Sequence, residues 1–252
     1  MNTLGYSVAI TIPCYNEEKR LNLQKFRDFS SMYTPLKLIF VNDSSTDNTG
    51  QILREFVAES PSSYTLLELE TNVGKAEAVR RGILKSLSNH PKYVGYWDAD
   101  LATPLREIKE FCNVLELNEE LIGVFGSRVK MLGRNISRNA SRHYSSRIFA
   151  TFVSLVLRLG VYDTQCGAKI FRATDEIVKI FGTPFLSKWI FDVEILARLI
   201  QNRVHGDNSN IENLIYEYPL SEWIDIGGSK IGIMDAAKAV IELWRINRTY
   251  LD

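Results

Sequence analysis

Residues 7–42 read SVAITIPCYNEEKRLNLQKFRDFSSMYTPLKLIFVN, a strand, a helix and a second strand in succession. The β-branched run at 7–13 and LKLIFVN at 36–42 are the strand signals. Between them the pattern predicts a helix over 17–33, with Asn16 as its N-cap. Two strands joined by a helix of that length pair in parallel through a right-handed crossover. The pattern then repeats, with a helix expected over 47–59, a strand at 64–70, a helix over 75–88 and a strand at 93–100. The expected fold class is therefore α/β: a Rossmann-like, mostly parallel sheet with helices on both faces.

The second half is less regular. A helix at 105–117 precedes a strand at 122–128, and a basic stretch at 134–147 leads into the apolar run IFATFVSLVL at 148–157. A turn and short strand follow at 163–172, then helices over 174–181 and 191–201, a strand at 214–219 and a closing helix to about residue 247. No Pro/Gly/Ser linker divides the chain, so a single domain over 1–252 is expected, with two functional lobes at 1–103 and 104–252.

Composition narrows the function classes. Lys+Arg and Asp+Glu balance at 30 each among 252 residues, which gives no reason to expect nucleic acid as a partner. Three scattered cysteines form no CxxC and no disulfide framework, as in a reducing compartment. Residues 1–6 lack the basic region and apolar run of a signal peptide, and the apolar run at 148–157 is about half the ~20 residues that span a bilayer. A cytoplasmic protein with no transmembrane segment is expected.

In a parallel sheet, ligands bind outside the carboxyl ends of the strands. Those ends carry Tyr15, Asn16 and Glu17; Asn42 and Asp43; Asn72; and Asp98 and Asp100. The stretch YWDADLATP at 96–104 runs an aromatic strand straight into two carboxylates one residue apart. Burying one carboxylate is costly and two together repel, so a positive charge belongs between them. NVGKAEAVRRG at 72–82 lacks the GxxxxGK[ST] spacing of a phosphate-binding P-loop. For Arg80 and Arg81 a solvated helix face competes with any site role. Arg134, Arg138 and Arg142 recur every fourth residue and would share one face of a helix.

Taken together, IPCYNEE (12–18), VNDSSTDNT (41–49), NVGKAEAVRRGI (72–83) and DAD (98–100) resemble the family 2 glycosyltransferases of GT-A fold. TQCGAKIF (164–171), KWIFDVEIL (188–196) and GGSKI (227–231) resemble the branch that glucosylates dolichyl or other polyprenyl phosphates. The resemblance implies that Asp98 and Asp100 hold Mg2+ or Mn2+ bridged to the diphosphate of a sugar nucleotide, in keeping with the preference of hard cations for carboxylate oxygen. It places Pro13, Tyr15 and Glu17 beside base and ribose, Asp43 at the base edge, and Gly74, Lys75 and Ala99 near the nucleotide. It sets Arg128 and Lys230 near the phosphates, and it makes 1–103 the nucleotide-sugar-binding lobe and 104–252 the acceptor-binding lobe. Tyr15 as a packed ring and Asp43 as a helix cap are the competing structural readings.

Asp192 and Glu194 lie where hydroxyl-acceptor members of the family keep a general base. A phosphate acceptor arrives ionised and needs none, so donor orientation, or pairing with Lys188 or Arg198, is the competing role. Ala102 stands where mannosyl-type lipid transferases commonly carry Gln, which favours the glucosyl branch. The resemblance thus implies an inverting, metal-dependent hexosyltransferase moving glucose from UDP-glucose to a polyprenyl phosphate, with Arg128, Arg138, Lys169 and Lys230 as cations of the acceptor half. Peripheral contact with the inner face of a membrane follows from the basic stretch beside the apolar helix. A family 2 transferase with a saccharide or other hydroxyl acceptor, and a sugar-nucleotide-binding module without turnover, remain the alternatives.

Overall fold

The computed structural model describes residues 2–137, 140–204, 211–226 and 233–252, with the side chains of 2–6, 140–145, 204 and 233–237 left aside. In chain order the first half comprises β1 (Asn2–Cys14), α1 (Leu23–Met32), β2 (Tyr33–Asn42), α2 (Thr49–Glu59), β3 (Tyr64–Glu68), α3 (Lys75–Leu87), β4 (Tyr93–Trp97) and α4 (Glu107–Leu117). The second half adds β5 (Gly123–Ser127), β6 (Asn135–Ser137), α5 (Ala140–Leu157), β7 (Ala168–Arg172), α6 (Asp175–Gly182), α7 (Phe191–Val204), a 3-10 turn (Ile211–Asn213), β8 (Ile215–Pro219), β9 (Glu222–Ile224) and α8 (Ile233–Tyr250).

Seven strands form one sheet in the order β3-β2-β1-β4-β7-β5-β8, and β6 pairs with β9 in a small second sheet. The pairs β1–β2, β2–β3, β1–β4 and β5–β8 are parallel, whereas β7 runs antiparallel between β4 and β5. The expected mostly parallel α/β sheet is therefore present. The second half of the chain threads β7 into the middle of it, so the two expected lobes share one sheet.

Period-two alternation explains how a sheet strand serves two cores. Along the fully buried β4, Val94 and Tyr96 join the cluster of Val79, Ile83, Phe171, Phe181 and Phe191 on the α3, α6 and α7 side. Tyr93 and Trp97 join Phe26, Phe40, Phe56 and Phe111 on the α1, α2 and α4 side. A strand covered on both faces reads as a continuous apolar run, as this one does.

Two expectations are corrected. Asn16 is not a helix cap: it has φ +53 in the loop after β1, and α1 starts only at Leu23, where Asn22 accepts a hydrogen bond from Lys25 N at 3.2 Å. The Asn16 side chain instead accepts from Thr46 N at 2.8 Å and its own N–H donates to Ser45 Oγ at 3.0 Å, locking the β1–α1 loop to the β2–α2 loop. Arg134, Arg138 and Arg142 do not share a helix face either. Arg134 precedes the short strand β6, Arg142 lies within α5, and Arg138 is outside the described residues. The four-residue spacing is interrupted because residues 135–137 pair with β9.

Candidate active site

The carboxyl ends of β1, β2 and β4 bring the first-half motifs together. At the end of β1, Tyr15 is 47% exposed, so it is not the buried core ring of the competing reading. Pro13 lies half-buried beside it. Glu17 is buried; Arg20 grips its carboxylate through Nε at 2.9 Å and Nη2 at 2.5 Å, and its N–H donates to Thr49 Oγ1 at 2.8 Å. Burial pushes the Glu17 carboxyl above its ordinary value, against the pull of Arg20 and with a smaller push from Asp100 and Asp98.

At the end of β2, buried Asp43 caps no helix of its own loop. Its Oδ1 and Oδ2 accept from the backbone N–H groups of Val73 and Gly74, each at 2.8 Å. This clamp sets the entry to α3. Gly74 holds φ +89, a conformation that favours glycine, and nothing lies within 4 Å of where its Cβ would project. Lys75 then opens α3 and places Nζ 2.5 Å from Asp98 Oδ1. Burial works to lower the Lys75 ammonium, yet Asp98, Asp192 and Asp100 together hold it above its ordinary value. Arg80 and Arg81 both pair with Glu77, and Arg80 also reaches the carbonyls of Phe181 and Gly182. Arg80 thereby braces α3 against α6, while Arg81 pairs within α3 on its exposed side.

Beyond β4 the chain makes a tight turn. Asp98 N–H donates to Gly167 O at 2.9 Å, buried Ala99 follows, Asp100 Oδ1 accepts from Ala102 N at 3.0 Å, and Trp97 Nε1 donates to Thr103 O at 2.8 Å. Burial raises the Asp100 carboxyl, and the neighbouring Asp98 raises it further. Asp98 meets the Lys75 ammonium, so the negative charge left uncompensated rests on Asp100. Among the described residues no group of three His, Cys, Asp or Glu side chains forms a self-sufficient metal site. Two carboxylates that leave the remaining positions to substrate phosphates suit Mg2+ or Mn2+.

Gly167 went unmarked at the level of sequence, and Lys169 was expected in a different role. Gly167 faces Asp98 so closely that a Cβ there would meet Asp98 Oδ2 at 1.9 Å. Lys169 is wholly buried. Its three donors go to Thr164 O at 2.9 Å, Cys166 O at 2.6 Å and Asp192 Oδ1 at 2.5 Å. Tyr96 OH donates to the same Asp192 oxygen. Lys169 is therefore not a cation of the acceptor surface, as expected from its charge, but a pillar that joins β7 to α7. Lys169 sits within the quoted TQCGAKIF motif, but nothing in a linear motif says that an ammonium points inward.

Asp192 is accordingly anchored rather than free. Glu194, fully buried, accepts from Leu186 N, Ser187 N and Tyr250 OH and pairs with Arg198 at 2.7 Å, the structural role weighed for it. Arg128 follows β5 and pairs with Asp163, with Nε–Oδ2 at 2.6 Å and Nη2–Oδ1 at 2.7 Å, and its guanidinium lies 5.3 Å from the centre of the Trp223 ring. Burial opposes its charge, but Asp163 outweighs burial and holds the guanidinium above its ordinary value. Lys230 and the rest of GGSKI at 227–231 lie outside the described residues.

The model of glycosyl transferase family 2 matches residues 9–176. A dolichyl-phosphate beta-glucosyltransferase of Dictyostelium discoideum is 32% identical over 89% of this chain and 68% of its own length. Its counterpart in Saccharomyces cerevisiae is 29% identical over 97% and 75%. Among solved structures, glucosyl-3-phosphoglycerate synthase of Mycobacterium tuberculosis with Mn2+, UDP and phosphoglyceric acid superposes with a TM-score of 0.67 at 14% identity, over 96% of this chain and 79% of that one. The S. aureus protein TarS with UDP-GlcNAc gives 0.59 at 15% identity, over 98% and 68%. At such identities these two neighbours speak for the fold alone. The family match across most of the chain, on a sheet whose strand ends gather the DxD turn, Lys75 and Asp43, makes this protein a member of glycosyl transferase family 2.

Proposed function

We propose that this glycosyltransferase moves glucose from UDP-glucose to the phosphate of a polyprenyl or dolichyl lipid, with inversion. The relatives named above support the donor and acceptor classes. The structural observation that carries the acceptor is the state of the carboxylates around the DxD turn. Glu17 is held by Arg20, Asp163 by Arg128, and Asp192 by Lys169 and Tyr96. A sugar hydroxyl must lose a proton as it attacks and calls for a free carboxylate, whereas a lipid phosphate attacks as an anion. Carboxylates committed to cations suit the second case.

Asp98 and Asp100 are the residues to hold Mg2+ or Mn2+, which when bound neutralises the diphosphate leaving group without moving a proton. Exposed Tyr15 offers its ring to the uracil, with Pro13 and Glu17 beside it. Asp43 shapes the nucleotide cleft by fixing 73–74, so that Gly74 and Lys75 meet the phosphates. Arg128, oriented by Asp163, and Lys230 supply positive charge to the incoming acceptor phosphate. The acceptor-side role belongs to residues 104–252 and the donor-side role to 1–103, a division of labour within one sheet.

Peripheral docking on a membrane accompanies this reading. Among the described residues no helix is long and apolar enough to cross a bilayer. Packed α5 and α8 expose Ile148, Phe152 and Leu155 on one helix and Val240, Ile241 and Trp244 on the other. Exposed Met131 and Leu132 stand between Lys130 and Arg134. Apolar surface beside cations suits the anionic inner face of a membrane, where the lipid acceptor resides.

The deciding experiment is a donor-by-acceptor turnover screen with Mn2+ and Mg2+, reading released UDP or GDP and the anomeric configuration of the product. UDP-glucose with undecaprenyl phosphate is expected to give a β-linked product. Transfer to short oligosaccharides but not to undecaprenyl phosphate would install the hydroxyl-acceptor alternative.

A further inference from the structure

Lys75 opens α3, and an ammonium there opposes the helix. The first turn carries the positive end of the macrodipole, where carboxylates stabilise and cations do not. Glu77 in the same turn has the favourable sign. Lys75 is instead accounted for by what lies across the cleft: Asp98 Oδ1 at 2.5 Å, with Asp192 and Asp100 near enough to attract it. Its placement is built in, since Asp43 clamps the two residues before it and Gly74 takes the left-handed turn that launches the helix. The side chain keeps 44% of its surface open to solvent, so it is free to swing away.

Asp98 is also one of the two carboxylates suited to a divalent cation. Both of its carboxylate oxygens lie close beside Gly167, and Oδ1 is the one that Lys75 covers. An ammonium and a divalent cation repel each other and compete for that oxygen. A diphosphate changes the balance, because it brings several negative oxygens to the entry of α3, where Gly74 leaves open space.

We propose that Lys75 is the resident counter-cation of Asp98, so that a divalent cation enters this site together with a nucleotide diphosphate that takes Lys75 in exchange. The inference rests on Asp98 and Asp100 being the metal carboxylates, and it adds an order to their use. By linkage, UDP tightens the metal and the metal tightens UDP by the same factor. The metal alone is held weakly, and the donor arrives with its cation.

The test measures Mn2+ binding to the full-length protein by electron paramagnetic resonance of free Mn2+, with and without UDP. Lys75→Met is expected to tighten Mn2+ in the absence of UDP by about fivefold or more, and to shrink the factor by which UDP enhances Mn2+ binding. Lys75→Arg keeps the cation and should retain the weak Mn2+-only affinity. Arg81→Met makes the same change of net charge on the same helix and should leave Mn2+ binding as it is. Unchanged or weaker Mn2+-only binding in Lys75→Met, or an equal gain in Arg81→Met, overturns the inference while leaving the metal site standing. If the unmodified protein takes up no Mn2+ even with UDP, the reading of Asp98 and Asp100 falls and the inference falls with it.

Discussion

Asp100 and Gly167 illustrate two ways in which single residues serve the DxD turn at the expense of stability. The Asp100 carboxyl is raised by burial and by Asp98. A carboxylate whose folded-state value lies above its ordinary one favours the folded chain less and less as pH rises through about 4 and up to that raised value. Near neutrality the full loss is present. Asp100→Asn keeps the carbonyl oxygen that accepts from Ala102 N and removes the charge. In EDTA at pH 7 it should melt about 2 °C or more above the unmodified protein, with the difference fading below about pH 4, as followed by thermal unfolding. The same variant should lose turnover by orders of magnitude; full activity of Asp100→Asn in EDTA would remove the metal from the mechanism. Gly167→Ala acts from the opposite wall. Its Cβ would lie 1.9 Å from Asp98 Oδ2, so Asp98 must shift. Metal-dependent UDP binding should weaken tenfold or more while metal-free UDP binding changes little, a contrast that isothermal titration with and without Mn2+ reads directly.

The joint between β7 and α7 rests on a buried ion pair. Lys169 is wholly buried and Asp192 nearly so, and the ammonium bonds to Asp192, Thr164 O and Cys166 O. Removing one partner of such a pair strands the other charge in the core, at a cost of about 3–5 kcal/mol. Lys169→Met and Asp192→Asn should each destabilise by that amount, and the double variant by about 1–3 kcal/mol less than their sum, in urea unfolding at neutral pH. Additive losses would mean that the two do not act as a pair. This also changes what Asp192→Asn says about catalysis. A drop in its activity that tracks its folded fraction belongs to the joint, and only a loss at full folding would speak for a general base.

The whole molecule presents an uneven surface. α5 and α8 expose apolar side chains, and the exposed Met131 and Leu132 are flanked by Lys130 and Arg134. Sedimentation with anionic vesicles should be seen at low salt and fade at high salt, since attraction of about 1 kcal/mol per basic residue near the surface is screened. Phe152→Glu and Trp244→Glu should each reduce the bound fraction at fixed lipid without altering soluble UDP binding. Equal partitioning with and without vesicles would count against a membrane role for this face.

Much of the molecule was legible in the chain as written. Apart from the short β6 and β9, strand and helix order, the α/β class and the strand-end carboxylates follow from local spacing, because period-two and helical patterns are properties of neighbouring residues. The polar ends of β1, β2 and β4 could be named in advance because a parallel sheet sends them all to one side. Tertiary packing settled the partners. It gave Asp43 to the backbone of 73–74, turned Lys169 inward onto Asp192, drew Asn16 onto Ser45 and Thr46, and inserted β7 antiparallel between β4 and β5. Those outcomes depend on groups that lie 23 to 31 residues apart or on strands paired across the sheet. A buried charge is stabilised only by the particular group it meets, and that meeting exists only once the sheet has closed.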